Sequence, residues 1–207
     1  MKTIKTKIHR TAYNRKREDI LKAAEKRFSR HGIKKTTIEE VARDLRIGKT
    51  SLYNYFNSKE HLFQETVKWL CADFLETIKT NFNNEELSPE ERLKVYFELK
   101  KDFFAKYKML SQMLINILNE VSTENENELM AGFWQSESEV LRLAIPICLN
   151  INDEASLRNL SWAYSVYGSM ISFNEKLFQI IPEKNLDNKS EVLGVLNEKM
   201  FSVITKK

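Results

Sequence analysis

The chain has 207 residues, a formal net charge of +4, and only five glycines and three prolines. Its length suffices for one medium domain or two small ones, with a core that needs neither disulfides nor a metal. Helix breakers are scarce, and no segment alternates apolar and polar residues as a half-buried strand does, so we expect an all-α protein. The N-terminus lacks the apolar segment of a secretory signal, and no apolar run approaches the roughly 18 residues of a membrane span, which favours a cytoplasmic location and no membrane partner.

Charge is divided unevenly along the chain. Residues 1–60 hold 17 Lys and Arg against 7 Asp and Glu, whereas the remaining residues hold 16 against 22. A small basic unit joined to a larger acidic one indicates that the N-terminal part meets a polyanion. A merely solvated basic surface is the alternative. Residues 1–14 have few apolar side chains and are predicted to form a flexible basic arm.

Three helices are predicted in the N-terminal quarter. The first runs from about residue 15 to residue 30, and Gly32 behind it suits the left-handed position after a helix end. Thr37 and Glu40 form a capping box at the start of a short second helix. After a tight turn, a third short helix covers about residues 49–56. This arrangement describes a helix-turn-helix; a three-helix core segment without a DNA role is the alternative.

Long amphipathic helices are predicted for the rest of the chain. They cover roughly residues 58–81, a stretch that begins at residue 88, and residues 110–121, 129–143, 153–180 and 192–204. The fourth of them is expected to bend or end near Pro146. The helix of residues 153–180 is apolar on two sides, so it should be buried on two sides. The amphipathic C-terminal helix must dock either on its own domain or on a second copy of it.

Residues 17–63 carry an ordered set of motif positions. These are Ile20-Leu21, Ala23-Ala24, Phe28, Gly32, Thr36-Thr37, Ala42, Leu52-Tyr53, Tyr55-Phe56 and Ser58-Lys59-Glu60. In order and spacing they resemble the DNA-binding domain of TetR-family regulators. Two positions depart from that pattern, because Arg46 stands where the family commonly has Gly, and Gly48 where it often has Ser. We expect Gly48 to supply the permissive backbone of a reorganised turn, which would let Arg46 reach a phosphate.

The resemblance implies a set of DNA contacts. Lys49, Thr50 and Ser51 open the recognition helix and should lie nearest the base edges, and Asn54 is suited to adenine. The remaining expected contacts are to phosphates: Tyr53 and Lys59 as clamps, Thr37 at a helix N-terminus, and Tyr55, for which core packing is an equal alternative. The arm, with Lys2, Lys5, Lys7 and Arg10, would reach the backbone or a minor groove, or add only non-specific affinity.

The resemblance also implies a domain organisation. It consists of an arm over residues 1–14, a helix-turn-helix DNA-binding domain over 15–60, and a helical ligand-binding and dimerisation domain over 61–207. The last two helices would pair with those of a second copy, so that a homodimer reads a pseudo-palindromic double-stranded operator. An unknown effector, apolar or aromatic, would bind among the other helices. The predicted lining side chains are Phe104, Met113, Trp134, Tyr164 and Tyr167, for each of which ordinary core packing is the alternative.

An enzymatic function is not expected. The three histidines lack metal-ligand spacing, and there is no nucleophile elbow, phosphate loop or dinucleotide fingerprint, so neither metal nor cofactor is predicted. The resemblance to TetR-family regulators implies a ligand-released repressor as the family's default. The alternatives are a transcriptional activator, a ligand-independent architectural DNA-binding protein, and peripheral membrane binding through the arm.

Overall fold

The computed structural model describes the backbone of residues 2–149, 151 and 153–180, and the side chains of residues 12–146, 151 and 153–170. Every regular element in these ranges is a helix, as the sequence predicts. The helices are α1 (Lys2–Lys35), α2 (Ile38–Asp44), α3 (Lys49–Tyr53), α4 (Lys59–Phe82), α5 (Pro89–Lys106), α6 (Lys108–Leu118), α7 (Glu124–Leu149) and α8 (Glu154–Ile180). The helix predicted at 192–204 lies outside the described residues. No helix within them is long and apolar enough to cross a membrane.

The chain divides into two compact units. The first combines Met1–Asp73 with Tyr107–Leu129, and the second combines Phe74–Lys106 with the described residues from Met130 onward. The helix α6 belongs to the first unit, where its apolar side is buried and the Met109 amide donates to the Ser29 hydroxyl of α1 at 3.4 Å. Compactness alone assigns no function to either unit, so the predicted boundary between residues 60 and 61 stays a prediction.

The helix α1 begins at Lys2, so residues 2–14 are helical where the sequence analysis expects a flexible arm. The reason is continuity: no Gly or Pro occurs before Gly32, and nothing interrupts the backbone hydrogen bonds between the arm and the predicted first helix. The helix α1 is kinked at Gly32, close to the predicted helix end, and Gly32 has φ 73° and ψ 165°, an extended positive-φ conformation that essentially only glycine adopts.

Two boundaries of α7 differ from the prediction. The helix starts at Glu124 and not at about residue 129, because Thr123 and Glu126 form a capping box. The Glu126 amide donates to the Thr123 hydroxyl at 3.2 Å, and the Thr123 amide donates to the Glu126 carboxylate at 2.9 Å. At the other end α7 passes through Pro146, near which a bend or an end is predicted, and reaches Leu149.

Candidate functional site

The start of α2 is fixed by the predicted capping box. The Thr37 hydroxyl accepts from the Glu40 amide at 3.3 Å, and the Glu40 carboxylate accepts from the Thr37 amide at 2.9 Å. The hydrogen bond from the Thr37 amide, followed by one from the Thr37 hydroxyl to the same carboxylate, lowers the pKa of Glu40. The Thr37 side chain is exposed at this helix N-terminus, where backbone amides attract anions.

The turn between α2 and α3 is built differently from the prediction. Arg46, and not Gly48, takes the left-handed conformation, with φ 53°, while Gly48 is extended at φ −69° and ψ 146°. The amide of Ile47 donates to the Ala42 carbonyl and that of Arg46 to the Arg43 carbonyl, both at 3.0 Å. This hydrogen-bond pair is a Schellman motif, which places its left-handed residue directly after the helix cap. The expectation for Gly48 is therefore wrong.

The short helix α3 has one buried and one exposed side. Leu52 of α3 and Phe56 just after it are buried, as predicted. The exposed side carries hydrogen-bonding and cationic side chains, namely Lys49, Thr50, Ser51, Tyr53 and Asn54. Gly48 is the N-cap and gives α3 no side-chain cap. A short exposed helix of this composition fits a major groove about 12 Å wide.

Lys49 is held by two neighbours on the exposed surface. Its ammonium forms an ion pair with Glu39 of α2 and lies 5.6 Å from the centroid of the Tyr53 ring. The hydrogen bond with Glu39 is the main cause that raises the pKa of Lys49, and it is also the main cause that lowers the pKa of Glu39. Glu39 is not among the residues predicted from the sequence to contact DNA.

Tyr55 and Lys59 differ from the residues of α3. Both side chains are half-buried. The Tyr55 ring stacks on Tyr13 of α1, with centroids 4.6 Å apart and an interplanar angle of 22°. Of the two roles expected for Tyr55, this geometry favours packing; a phosphate contact by either residue stays a prediction.

The second unit contains a buried ion pair that the sequence analysis missed. Lys100 of α5 pairs with Glu137 of α7, and both side chains are 0% exposed. Glu137 also accepts hydrogen bonds from the hydroxyls of Tyr96, at 3.1 Å, and Ser165. Burial, and then the Glu137 carboxylate, raise the pKa of Tyr96 well above its usual range.

Aromatic rings enclose the ammonium of this pair. Its Nζ lies 4.4 Å from the ring centroid of Phe133, 5.4 Å from that of Phe74 and 5.5 Å from that of Phe104. Aromatic faces attract cations most strongly where water is absent. The carboxylate and the rings together therefore compensate a charge that costs several kcal/mol to bury.

The predicted ligand-lining residues fall into both units. Met113 is buried in the first unit, and the other four belong to the second. Phe104 and Tyr164 are fully buried there, and Phe104 is part of the ring cluster around Lys100. Trp134 is half-buried and donates its indole N–H to the Ser169 hydroxyl at 3.0 Å. Tyr167 is half-buried as well, and that burial raises its pKa.

A longer helix, a tight Schellman turn and an exposed polar helix together define a helix-turn-helix protein of the DNA-binding class. Residues 20–66 match the profile of "Bacterial regulatory proteins, tetR family", and these residues include the turn and both short helices. The N-terminal part of the chain therefore has a DNA-binding domain of the type found in TetR-family transcriptional regulators, which are DNA-binding proteins and not enzymes.

Two curated relatives extend the similarity. One is the "Biofilm operon icaADBC HTH-type negative transcriptional regulator IcaR" of Staphylococcus aureus, 25% identical over 171 residues, which are 82% of this chain and 91% of the relative. The other is the "HTH-type transcriptional repressor NicS" of Pseudomonas putida, 29% identical over 107 residues, which are 52% of this chain and 50% of the relative.

Solved structures share the fold. Reduced NemR of E. coli superposes with a TM-score of 0.66 at 15% identity, over 88% of this chain and 96% of NemR. The regulator FadR of Bacillus subtilis, in complex with stearoyl-CoA, superposes with a TM-score of 0.60 at 17% identity, over 86% of this chain and 96% of FadR. At these identities the likeness concerns the fold alone.

Proposed function

We propose that this regulator is a cytoplasmic homodimeric repressor that binds a pseudo-palindromic operator and leaves it when a small molecule binds the second unit. The proposal that the protein binds DNA rests on the exposed polar side of α3, which follows the hydrogen-bonded turn after α2. The names of IcaR and NicS, a negative regulator and a repressor, support repression over activation.

In this proposal the residues in and next to α3 make different kinds of contact with DNA. Lys49 donates to guanine O6 and N7, and Thr50 and Ser51 donate to base edges or contact a thymine methyl. Tyr53, exposed by 41%, donates its hydroxyl to a phosphate and so sets the register of the helix in the groove. Asn54 follows as the C-cap of α3, within reach of an adenine edge.

An exposed apolar stripe on α8 supports the homodimer. Trp162 and Val166 are one helical turn apart and remain 39% and 38% exposed in the single chain. Large apolar side chains at this spacing favour a helix–helix contact with a second copy. Two copies of α3 about 34–36 Å apart would then read two half-sites on one face of the DNA.

The second unit is the proposed effector-binding part. Its interior is rich in aromatic rings around Lys100 and Glu137, so an effector that separates these helices would meet apolar and aromatic surfaces with few polar groups. The presence of stearoyl-CoA in the FadR complex supports a ligand-binding role for a fold of this kind. An effector that binds one arrangement of the helices better than another would shift the equilibrium between the DNA-binding and released states.

The test of DNA binding uses the full-length protein and the DNA that flanks its gene, at physiological salt and with excess competitor DNA. We expect specific binding by the wild type, a large loss for Tyr53→Ala, and a smaller loss for Tyr53→Phe, which keeps the ring and removes only the hydroxyl. If neither flanking DNA nor a genome-wide binding selection yields a specific site, the proposal is wrong.

The effector part has its own test. Apolar and aromatic compounds are screened first for an increase in the melting temperature, and then for release of the bound operator. Release by a compound that stabilises the protein supports a ligand-released repressor. A protein that keeps its operator with every stabilising compound is instead a ligand-independent DNA-binding protein, and a promoter fusion that loses expression without the regulator identifies an activator.

A further inference from the structure

We propose that Glu39 is a specificity determinant of the DNA-binding unit, because it holds the Lys49 ammonium against α2 and away from the phosphates of DNA other than the operator. The inference rests on the proposed contact between α3 and DNA. Glu39 acts through Lys49 and is therefore a positioning residue.

The contact geometry gives Glu39 this role. Its carboxylate pairs with the Lys49 ammonium across the turn between α2 and α3, and Tyr53 contacts the same ammonium from within α3. The side chains of Glu39 and Lys49 remain 46% and 53% exposed. Lys49 is therefore fixed on the surface expected to face DNA, but a competing anion can still reach it.

The fold itself makes little use of Glu39. Capping of α2 is done by Glu40, whose carboxylate accepts from both the amide and the hydroxyl of Thr37. Exposed ion pairs contribute between zero and about 1 kcal/mol to stability. The main consequence of the pair between Glu39 and Lys49 is therefore electrostatic and concerns what else Lys49 is able to bind.

A phosphate that approaches this surface has to compete with the Glu39 carboxylate. The ammonium of Lys49 would attract it, and the negative charge of Glu39 opposes that attraction. Phosphate contacts supply essentially all of non-specific binding, whereas operator binding also gains base-edge contacts. The carboxylate therefore weakens binding to non-operator DNA by a larger factor than it weakens binding to the operator. This repulsion raises the ratio of operator to non-specific affinity.

The test compares the wild type with Glu39→Gln on a mixed-sequence duplex of about two helical turns, over a range of salt concentrations. We expect the variant to bind this duplex about fivefold more tightly at low salt. The plot of log K against log salt should become steeper by about 0.9 for each Lys49 that gains a phosphate. Operator affinity should rise by less, so the ratio of operator to non-specific affinity falls.

A matched control separates this effect from a general change of charge. Glu18 pairs with Lys22 in α1 at 2.6 Å, with side chains 48% and 53% exposed, so Glu18→Gln removes the same charge from an equally exposed pair of the same unit. It should leave the salt slope unchanged. Adding Lys49→Met to Glu39→Gln should abolish the gain in affinity and slope, while circular dichroism verifies the helix content of each variant.

The outcomes distinguish the two proposals. If the wild type binds no DNA even at low salt, the proposed function fails. If the wild type binds DNA but Glu39→Gln and Glu18→Gln have the same slope and affinity, the inference about Glu39 is overturned.

Discussion

Surface ion pairs occur in both units, but the second unit also holds a pair that is sealed from solvent. In the first, the pairs Arg27–Asp44 and Glu39–Lys49 lie at the surface. In the second, Lys100 and Glu137 are sealed from solvent and enclosed by aromatic rings. Surface pairs exchange partners at little cost, whereas separating a buried pair exposes each charge to an apolar interior. The difference teaches that a paired charge at the surface can exchange partners, whereas the same chemistry in the interior fixes the packing.

The largest effect should come from breaking the buried pair. Lys100→Met removes the ammonium and leaves the Glu137 carboxylate in the interior, so we expect the free energy of unfolding to fall by about 3–5 kcal/mol. Lys101→Met is the matched control, because the neighbouring Lys101 pairs with the exposed Glu98, and its loss should stay below about 1 kcal/mol. Denaturant unfolding measures both.

A double variant sharpens the same comparison. Lys100→Met with Glu137→Gln removes both charges and keeps an acceptor for Tyr96, so it should recover most of the stability. Equal losses in Lys100→Met and Lys101→Met would contradict the importance of burial for this pair.

The next effect concerns how closely α8 packs on α5. A Cβ added at Gly168 would lie 3.3 Å from the Lys100 side chain and 3.4 Å from the Tyr96 hydroxyl, whereas one at Gly132 in α7 would meet nothing within 4 Å. We expect Gly132→Ala to stabilise by about 0.5–1 kcal/mol through helix propensity. Gly168→Ala should instead destabilise by about 1 kcal/mol, since overpacking outweighs that gain. A stabilisation of the same size at both positions, measured by thermal unfolding, would show that the packing yields without cost.

Substituting Arg46, in the turn between α2 and α3, should change folding stability and DNA affinity in opposite directions. Arg46→Gly relieves a left-handed non-glycine residue and should stabilise by about 1 kcal/mol. If Arg46 reaches a phosphate, as the sequence predicts, the same variant binds DNA more weakly and with a shallower salt slope. Gly32→Ala, at a positive-φ position that essentially only glycine adopts, should instead destabilise by at least about 1 kcal/mol. Unchanged DNA binding by Arg46→Gly would rule out the phosphate contact.

The smallest effect is a pH dependence of the surface pairs. The guanidinium of Arg27 lowers the pKa of Asp44, to which it donates at 2.6 and 2.7 Å. A lowered pKa means that the stabilisation is complete above the ordinary Asp value of 3.8 and is lost as the pH falls through the folded-state value. The melting-temperature difference between wild type and Asp44→Asn should therefore shrink below pH ~4. A difference that is constant from pH 7 to pH 3 would contradict this assignment.

Much of the helix-turn-helix could be predicted because its signals are local. Thr37 and Glu40 are three residues apart, and the sides of α3 follow from its own few residues. The same rule would have found the Thr123–Glu126 cap of α7, which the sequence analysis overlooked. Arg46 was harder to predict, because its conformation follows from where α2 ends and not from the residue itself.

The buried pair could not be derived in the same way, because its members are 37 positions apart. A sequence signal existed nevertheless. Lys100 stands among Tyr96, Phe97, Phe103 and Phe104, at spacings that put a lysine on the apolar side of α5. Glu137 likewise stands between apolar neighbours of α7 one turn away on each side, and opposite charges on two apolar stripes indicate a pair. What no local pattern supplies is which helices meet.

The small buried side of α3 has an evolutionary consequence. Of its five residues only Leu52 is buried, so the others are under little constraint from folding. If α3 reads the operator as proposed, mutations there would alter the preferred operator while the protein continues to accumulate as a folded product. Such a helix would let duplicated genes diverge toward different promoters without a change in the rest of the fold.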